Sequence, residues 1–430
     1  MNKIIPGFLS VLLFVSVKIV VSQPIVIKGE MIRELCNAPI SSLRLCTSEK
    51  MPIPFQVDEL TETGNYICDK GDEPNADSSN GILDPKDEIV FLQEDCQPYD
   101  SSAGTMVNSG GGVYYPLIIR SQQKSSVIYI TRDTSVTLSA KRYIAYDHEK
   151  QYVKTPYYYA QFGKNRFHFT NAGVWDPSEN QFIHITNELA IAIHLKALWG
   201  LIPINYTENN LVCIVKQYKC GPVRLIRGGN FHLNLGLGLK GSHAYVNQLC
   251  YSQIVKVPVN VHVPVRFRAF FSEAYIEMCP VIKRREGFKF QVPAIHFTDT
   301  ICSKKNTDSL VYVNPNNEFY AVTDGEIGYG WILEAKIENP FLKGSCFLIR
   351  KPSYRDKTCV EYGYRMMVRD LPKGRYEINN WVSFSTGTYS SLISLSSFIK
   401  VPASIETPWG LGYNFISANP LQSFQSEKKR

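Results

Sequence analysis

The chain is a succession of short β-branched or aromatic segments bounded by turn residues, and this limits its fold more than any other feature. Nine such segments stand out, at 55–58, 114–120, 126–131, 212–216, 223–227, 255–268, 288–292, 331–337 and 346–350. Runs of this length and composition read as strands, and the abundance of Tyr (25) and Phe (22) favours a pleated surface over helices. Thr186-Asn187-Glu188-Leu189 has the form of a helix cap, yet Leu189, Ile191, Ile193 and Leu195 alternate with small or polar residues, so strand is expected there. The alternation of 257–265 is clean, and its prolines, Pro258 and Pro264, place it at an edge. The predicted fold is mainly β, one large or two packed β-sandwich units with a small acidic N-terminal lobe. The lobe is expected over 23–110 and the body over 111–430, because roughly 400 residues exceed one ordinary core.

Residues 1–22 read as a secretory signal: Lys3, an apolar run from Ile4 to Val17, then Val20-Val21-Ser22 before Gln23. The run is shorter than the roughly 20 apolar residues a spanning helix needs, and no later segment is long and apolar enough. The expected location is secreted or extracytoplasmic, with no membrane span after signal removal.

Export makes disulfides the natural use of eleven cysteines. Sequence order suggests Cys36 with Cys46, Cys68 with Cys96, Cys213 with Cys220, Cys250 with Cys279 and Cys346 with Cys359, leaving Cys302 over. Spacing does not fix connectivity. No C-x-x-C or Cys/His zinc spacing occurs.

Charge is distributed unevenly. Residues 58–100 carry thirteen Asp and Glu against two Lys, whereas the rest of the mature chain carries 42 basic and 26 acidic residues. An acidic lobe beside a basic body either binds cations and anionic surfaces separately or docks on itself. Nothing in the pattern suggests nucleic acid; the partner expected is an anionic glycan or a cell-envelope component.

Residues 72–88 resemble a twelve-residue calcium loop. With Gly81 at its sharp turn, Ser78, Asn80, Asp84 and Asp87 fall at ligand spacing, the Ile82 carbonyl adds a fifth oxygen, and Asp77 is a spare in place of Ala76. Calcium is therefore the expected cofactor. The competing reading is an acidic turn, since Asp, Asn, Ser and Gly form turns without metal.

Signals for catalysis are weak. Gly236 to Gly241 spells G-x-G-x-x-G without the following helix that dinucleotide binding needs, so its glycines are expected to mark a strand bend or turn. No H-E-x-x-H, G-x-S-x-G or Walker pattern occurs. In Gly221-Pro222-Val223-Arg224-Leu225-Ile226-Arg227, two arginines three apart fall on opposite strand faces, each suited to clamping a carboxylate or sulfate or to pairing with an acidic neighbour. Lys283-Arg284-Arg285 reads as a solvated loop. Tyr157, Tyr158, Tyr159 and Trp175 can stack on sugar rings, although most aromatics in β proteins are core. Asn205-Tyr206-Thr207 is the one glycosylation sequon, at Asn205.

Pro54-Phe55-Gln56-Val57-Asp58-Glu59, followed by Gly81 to Phe91, resembles the N-terminal part of a group of exported bacterial β-rich proteins with the patterns P-x-Q-x-D-E and D-G-x-x-D-x-x-D-E-x-V-F. That resemblance spans about 40 residues and implies no activity. The remainder is similar only in broad outline to β-supersandwich proteins that handle polysaccharides. The expected function is an exported, disulfide-containing, calcium-stabilised, non-enzymatic β protein with a binding or structural role at the cell surface or envelope. The alternative is a carbohydrate-active protein, either a polysaccharide lyase or a sugar-binding module. A groove gathering a Tyr or His, an Arg and an acid favours the enzyme; a face without convergent titratable groups favours binding.

Overall fold

The computed structural model describes residues 23–413, apart from 101–106, 110–111, 123, 165–166, 237–238, 264–265, 294–295, 302–308, 314–315, 337–345, 354–357, 387–388, 401–402 and 409. The expected signal segment, 1–22, lies outside the described residues. The fold is mainly β, with every described pairing antiparallel, and each of the nine predicted segments lies wholly or largely in a strand.

Two ten-stranded sheets form the body. One runs from Ala145–Asp147 through Tyr152–Lys154, Tyr158–Phe162, Phe169–Asp176, Gln181–Ala197 and Phe271–Lys283 to Cys359–Met367, Cys346–Pro352 and Ser309–Val313. The other runs from Phe297–Thr300 through Lys289–Val292, Asn316–Thr323, Gly328–Lys336, Gly374–Ser385, Ile254–Val263, Leu239–Cys250 and Leu225–Gly236 to Leu211–Cys220, ending on Lys70–Gly71 of the lobe. Aromatic rings join the two faces: Tyr158 stacks on Phe384 at 4.2 Å and Phe290 on Tyr362 at 4.3 Å, while the Tyr364 hydroxyl donates to the Trp331 carbonyl. One apolar core continues from this interface into the lobe.

Period-two alternation explains which side chains enter that core. Along Tyr158–Phe162, Tyr158, Ala160 and Phe162 are buried while Tyr159 and Gln161 turn outward. The alternating residues Leu189 to Leu195 lie in a strand, as expected, within the seventeen-residue Gln181–Ala197. Ile254–Val263 pairs with Gly374–Ser385 along its whole length but with Leu239–Cys250 only at Val255 and Lys256. Pro258, which lacks an N–H, therefore sits where one side of the strand has no ladder neighbour among the described residues. Gly236 pairs with Leu239 at the ends of two antiparallel strands, so a strand follows the glycine-rich stretch rather than the helix a phosphate loop needs.

In the N-terminal region a small sheet of Pro24–Lys28, Glu88–Leu92 and Phe55–Asp58 is built from the most apolar lobe segments. Another sheet crosses residue 110: Arg44–Cys46 and Gln97–Pro98 both pair with Ser125–Thr131, and Gly112–Arg120 pairs with Ser404–Thr407 near the C-terminus. The lobe is thus stitched to segments on both sides of the expected boundary. Tyr389–Lys400 is the single α-helix among the described residues.

Candidate functional site

The two arginines of the 221–227 segment do not offer themselves to a ligand. Arg224, fully buried, donates from Nε to Asp58 Oδ2 at 2.9 Å, pairs through Nη2 with the same oxygen, and pairs with Glu88 at 2.8 Å. The Lys219 ammonium meets the other Asp58 oxygen at 3.1 Å, and Tyr251 accepts from Arg224 at 3.2 Å. Gln56 completes the joint: its carbonyl accepts the Val223 and Arg224 N–H groups and its amide donates to Asp58. A Cβ on Gly221 would collide with the Gln56 amide, so glycine is required there for close approach. Burial pushes the Asp58 carboxyl up, but Arg224, Lys219 and Gln56 outweigh it and hold the group below the usual carboxylate range. Together with Glu73–Lys216 and Asp95–Lys141, these pairs show that the acidic lobe docks on the basic body. Arg227, equally buried, lies over Phe162 and is held by Tyr146, Gln151 and Gln248.

The acidic loop closes on itself. Both Asp87 oxygens accept backbone N–H groups, from Leu60 at 2.9 Å and Asp84 at 2.8 Å, and the residue is buried. Asn80 caps the Ile82 N–H and donates to Asp84, while Glu59 accepts from Ser79, Asn80 and Gly81. Of the six expected ligand residues, Asp77 and Ser78 remain exposed, Asp84 half-buried, and Asp87 turned inward. Among the described residues no three His, Cys, Asp or Glu side chains gather as a metal cluster would. In this arrangement both Asp87 carboxylate oxygens are occupied by backbone donors.

The expected disulfides need correction. The pairs Cys36–Cys46, Cys68–Cys96, Cys213–Cys220 and Cys250–Cys279 are not formed: all eight residues carry free thiols. The reason is clearest for Cys213 and Cys220, which lie near opposite ends of one strand rather than across a hairpin. Seven residues of strand separate them by about 23 Å, against a limit of about 7 Å between bridged Cα atoms. Cys302 and the Cys346 side chain lie outside the described residues. Asn205 is exposed on Ile202–Thr207, its side-chain oxygen bonded to His194 Nδ1 at 2.7 Å.

A different face gathers chemistry. The register aligns Lys154, Tyr159, Gly173 and His184 across four strands, with Trp175 opposite Phe182 one step along. All lie on the outer side of the sheet, alternate to buried Tyr158, Ala172 and Val174. Tyr159 packs edge-on to Phe182 at 5.5 Å and stacks on Tyr152 at 5.8 Å, Trp175 meets Phe182 at 5.1 Å, and the Lys154 ammonium sits 5.3 Å from the Phe182 ring. Gly173 leaves the room that Tyr159 occupies. Next to this strip a concavity of about 350 Å³ is lined by Gln181, Phe182, Ile183, His184, Lys283, Arg284 and Arg285. The Arg284 Nε is buried with no acceptor among the described residues. Arg285 lies 5.4 Å over the Phe288 ring.

His184 is fixed on both ring nitrogens, by Tyr159 OH at 3.2 Å and Asn187 Oδ1 at 2.5 Å. Burial raises the Tyr159 hydroxyl above its ordinary pKa. The Asp176 carboxylate accepts from Ser178 and Glu179. Burial pushes it up, but those bonds and Arg285 hold it down. Of the tyrosine run, Tyr158 is core, Tyr157 reaches Glu94 at 3.4 Å, and Tyr159 faces out. Sequence reading picked out Trp175, Tyr159 and Lys283 to Arg285 singly and missed Lys154, Phe182 and His184. Strand parity was the available signal, but it requires the register.

No protein-family profile matches the chain, and no curated protein is similar to it in sequence. Among solved structures, an α-mannosidase from Enterococcus faecalis is similar at 6% identity and TM-score 0.45, over 90% of this chain and 44% of that one. A glycosyl hydrolase family 38 protein from the same organism is similar at 7% identity and TM-score 0.46, over 91% and 45%. A protein from Synechocystis is similar at 9% identity and TM-score 0.33, over 58% of this chain and 99% of that one. The chain spans less than half the length of the two E. faecalis proteins, and the functional reading rests on the site's own geometry.

Proposed function

We propose that this protein is an extracytoplasmic binding protein for acidic glycans, engaging them on the Tyr159–Trp175–Phe182 strip and the Lys283–Arg285 concavity. The observation that carries the reading is the juxtaposition of half-buried aromatic faces, suited to sugar rings, with three consecutive cations suited to uronate or sulfate groups. The concavity has the volume of a small-ligand site. Binding is favoured over catalysis because no carboxylate among the described residues lines it and Tyr159, with its pKa raised, is a poor base at neutral pH.

Titration calorimetry with an acidic polysaccharide and a neutral one tests the reading. Wild type is expected to bind the acidic polymer, and Lys283→Ala with Arg285→Ala to weaken it on the order of tenfold or more, the scale of one lost charge-assisted contact. Equal affinity in the variant sinks the proposal. New ultraviolet absorbance from unsaturated products would replace it with the lyase reading, for which the Tyr159–His184 pair is the supporting contact.

Calcium at the 77–87 loop is a separate proposal, since an ion there must draw Asp87 from two backbone donors. Heat on titrating Ca²⁺ and a raised melting temperature, both lost in Asp77→Ala with Asp84→Ala, would establish it by mass action. An absence of heat leaves a self-closed turn.

A further inference from the structure

Half of the ten exposed large apolar side chains among the described residues belong to one projecting tip: Leu198, Trp199, Leu201, Ile202 and Phe270. Trp199 is 91% exposed and Leu201 80%. The tip is the turn between Gln181–Ala197 and Ile202–Thr207, flanked by the start of Phe271–Lys283, where Ala197 pairs with Phe271. Leu198, Trp199 and Gly200 have successive φ values of 48°, 56° and 95°. Two of these residues carry side chains in the left-handed region, a strain that the two anchored strands must hold.

Basic residues predominate around the tip. Residues 195–207 and 264–272 contain Lys196, Arg266 and Arg268 and no Asp or Glu. Lys196 is neutralised by Glu273 at 2.5 Å. Arg266 and Arg268 are exposed, and no carboxylate among the described residues pairs with either. A protein partner would be better served by a groove or flat patch with mixed charge. A turn with a nearly fully exposed Trp, further exposed apolar side chains beside it and two exposed arginines nearby suits the interfacial zone of a bilayer, where Trp is enriched and anionic headgroups attract Arg.

We propose that this tip docks the protein on an anionic lipid surface, with Trp199, Leu201 and Phe270 entering the headgroup region and Arg266 and Arg268 meeting lipid phosphates. The contact is peripheral: no helix among the described residues is long and apolar enough to cross a membrane. It does not depend on the glycan face, which is built from other residues.

The test is co-sedimentation of the full chain with vesicles of phosphatidylcholine alone and of phosphatidylcholine mixed with phosphatidylglycerol. Binding is expected on the anionic vesicles, with tryptophan quenching by brominated lipid. Trp199→Ala with Leu201→Ser is expected to cut partitioning about tenfold or more, given several apolar side chains withdrawn from the interface. Arg266→Glu with Arg268→Glu should remove the preference for anionic lipid while leaving circular dichroism unchanged. Failure of wild type to sediment with either vesicle overturns the proposal, as does equal sedimentation of the variants. A concentration-dependent dimer in ultracentrifugation that Trp199→Ala abolishes would also overturn it, assigning the tip to self-association.

Discussion

Arg224→Met is expected to destabilise the protein by about 3–5 kcal/mol, the scale of removing one partner from a buried ion pair. Asp58 is fully buried and would keep only the partly exposed Lys219 as a cation, and Glu88 would lose the Arg224 cation while still accepting from the Tyr66 hydroxyl. Denaturant unfolding at neutral pH measures the loss. Asp58→Asn should cost a comparable amount, and the double variant should fall well short of the sum, because each single change leaves the other charge stranded. The effect has a defined pH dependence. The Asp58 carboxyl is held below its unfolded value, so its contribution is complete above the ordinary Asp pKa of about 3.9 and is lost as the pH falls through the folded value. The gap between wild type and Arg224→Met should therefore narrow only under acid conditions. A gap that persists unchanged into strong acid, or additivity in the double variant, would remove the ion pair as the cause.

Tyr158→Ala is expected to cost a similar amount, about 3–5 kcal/mol, for a different reason: it opens a cavity where the two large sheets meet. Tyr158 is fully buried, and its ring lies 4.2 Å from that of Phe384, inclined by 14°. Phe384→Ala should give a comparable loss, and the pair should be strongly non-additive. Tyr159→Ala, one residue away, removes an outward ring and should cost far less stability while weakening glycan binding. A reversed order, with Tyr159→Ala the more damaging to unfolding free energy, would contradict the assignment of inner and outer faces.

The contrast between Tyr158 and Tyr159 shows where sequence reading stops. Composition and alternation determine that the chain is mainly β, and they locate strands roughly: 55–58 coincides with a strand, while the expected 255–268 and the alternation of Leu189 to Leu195 fall on Ile254–Val263 and within Gln181–Ala197. Period also determines that neighbouring tyrosines face opposite ways, but not which one faces in. That depends on strand register, which aligns Lys154, Tyr159 and His184 through segments up to thirty residues apart.

The same limit explains the cysteines and the N-terminal motif. Sequence order pairs Cys213 with Cys220, but one continuous strand holds them apart. The residues of P-x-Q-x-D-E could be named without their job being known, because Gln56 and Asp58 bind partners more than 160 positions away. Local sequence sets propensity and parity, which are properties of a few adjacent residues. Which charges are buried together, and which aromatics share a face with the Lys283–Arg285 run, was decided by the tertiary structure. Only long-range pairing brings those side chains within the few ångströms over which ion pairs and ring contacts act.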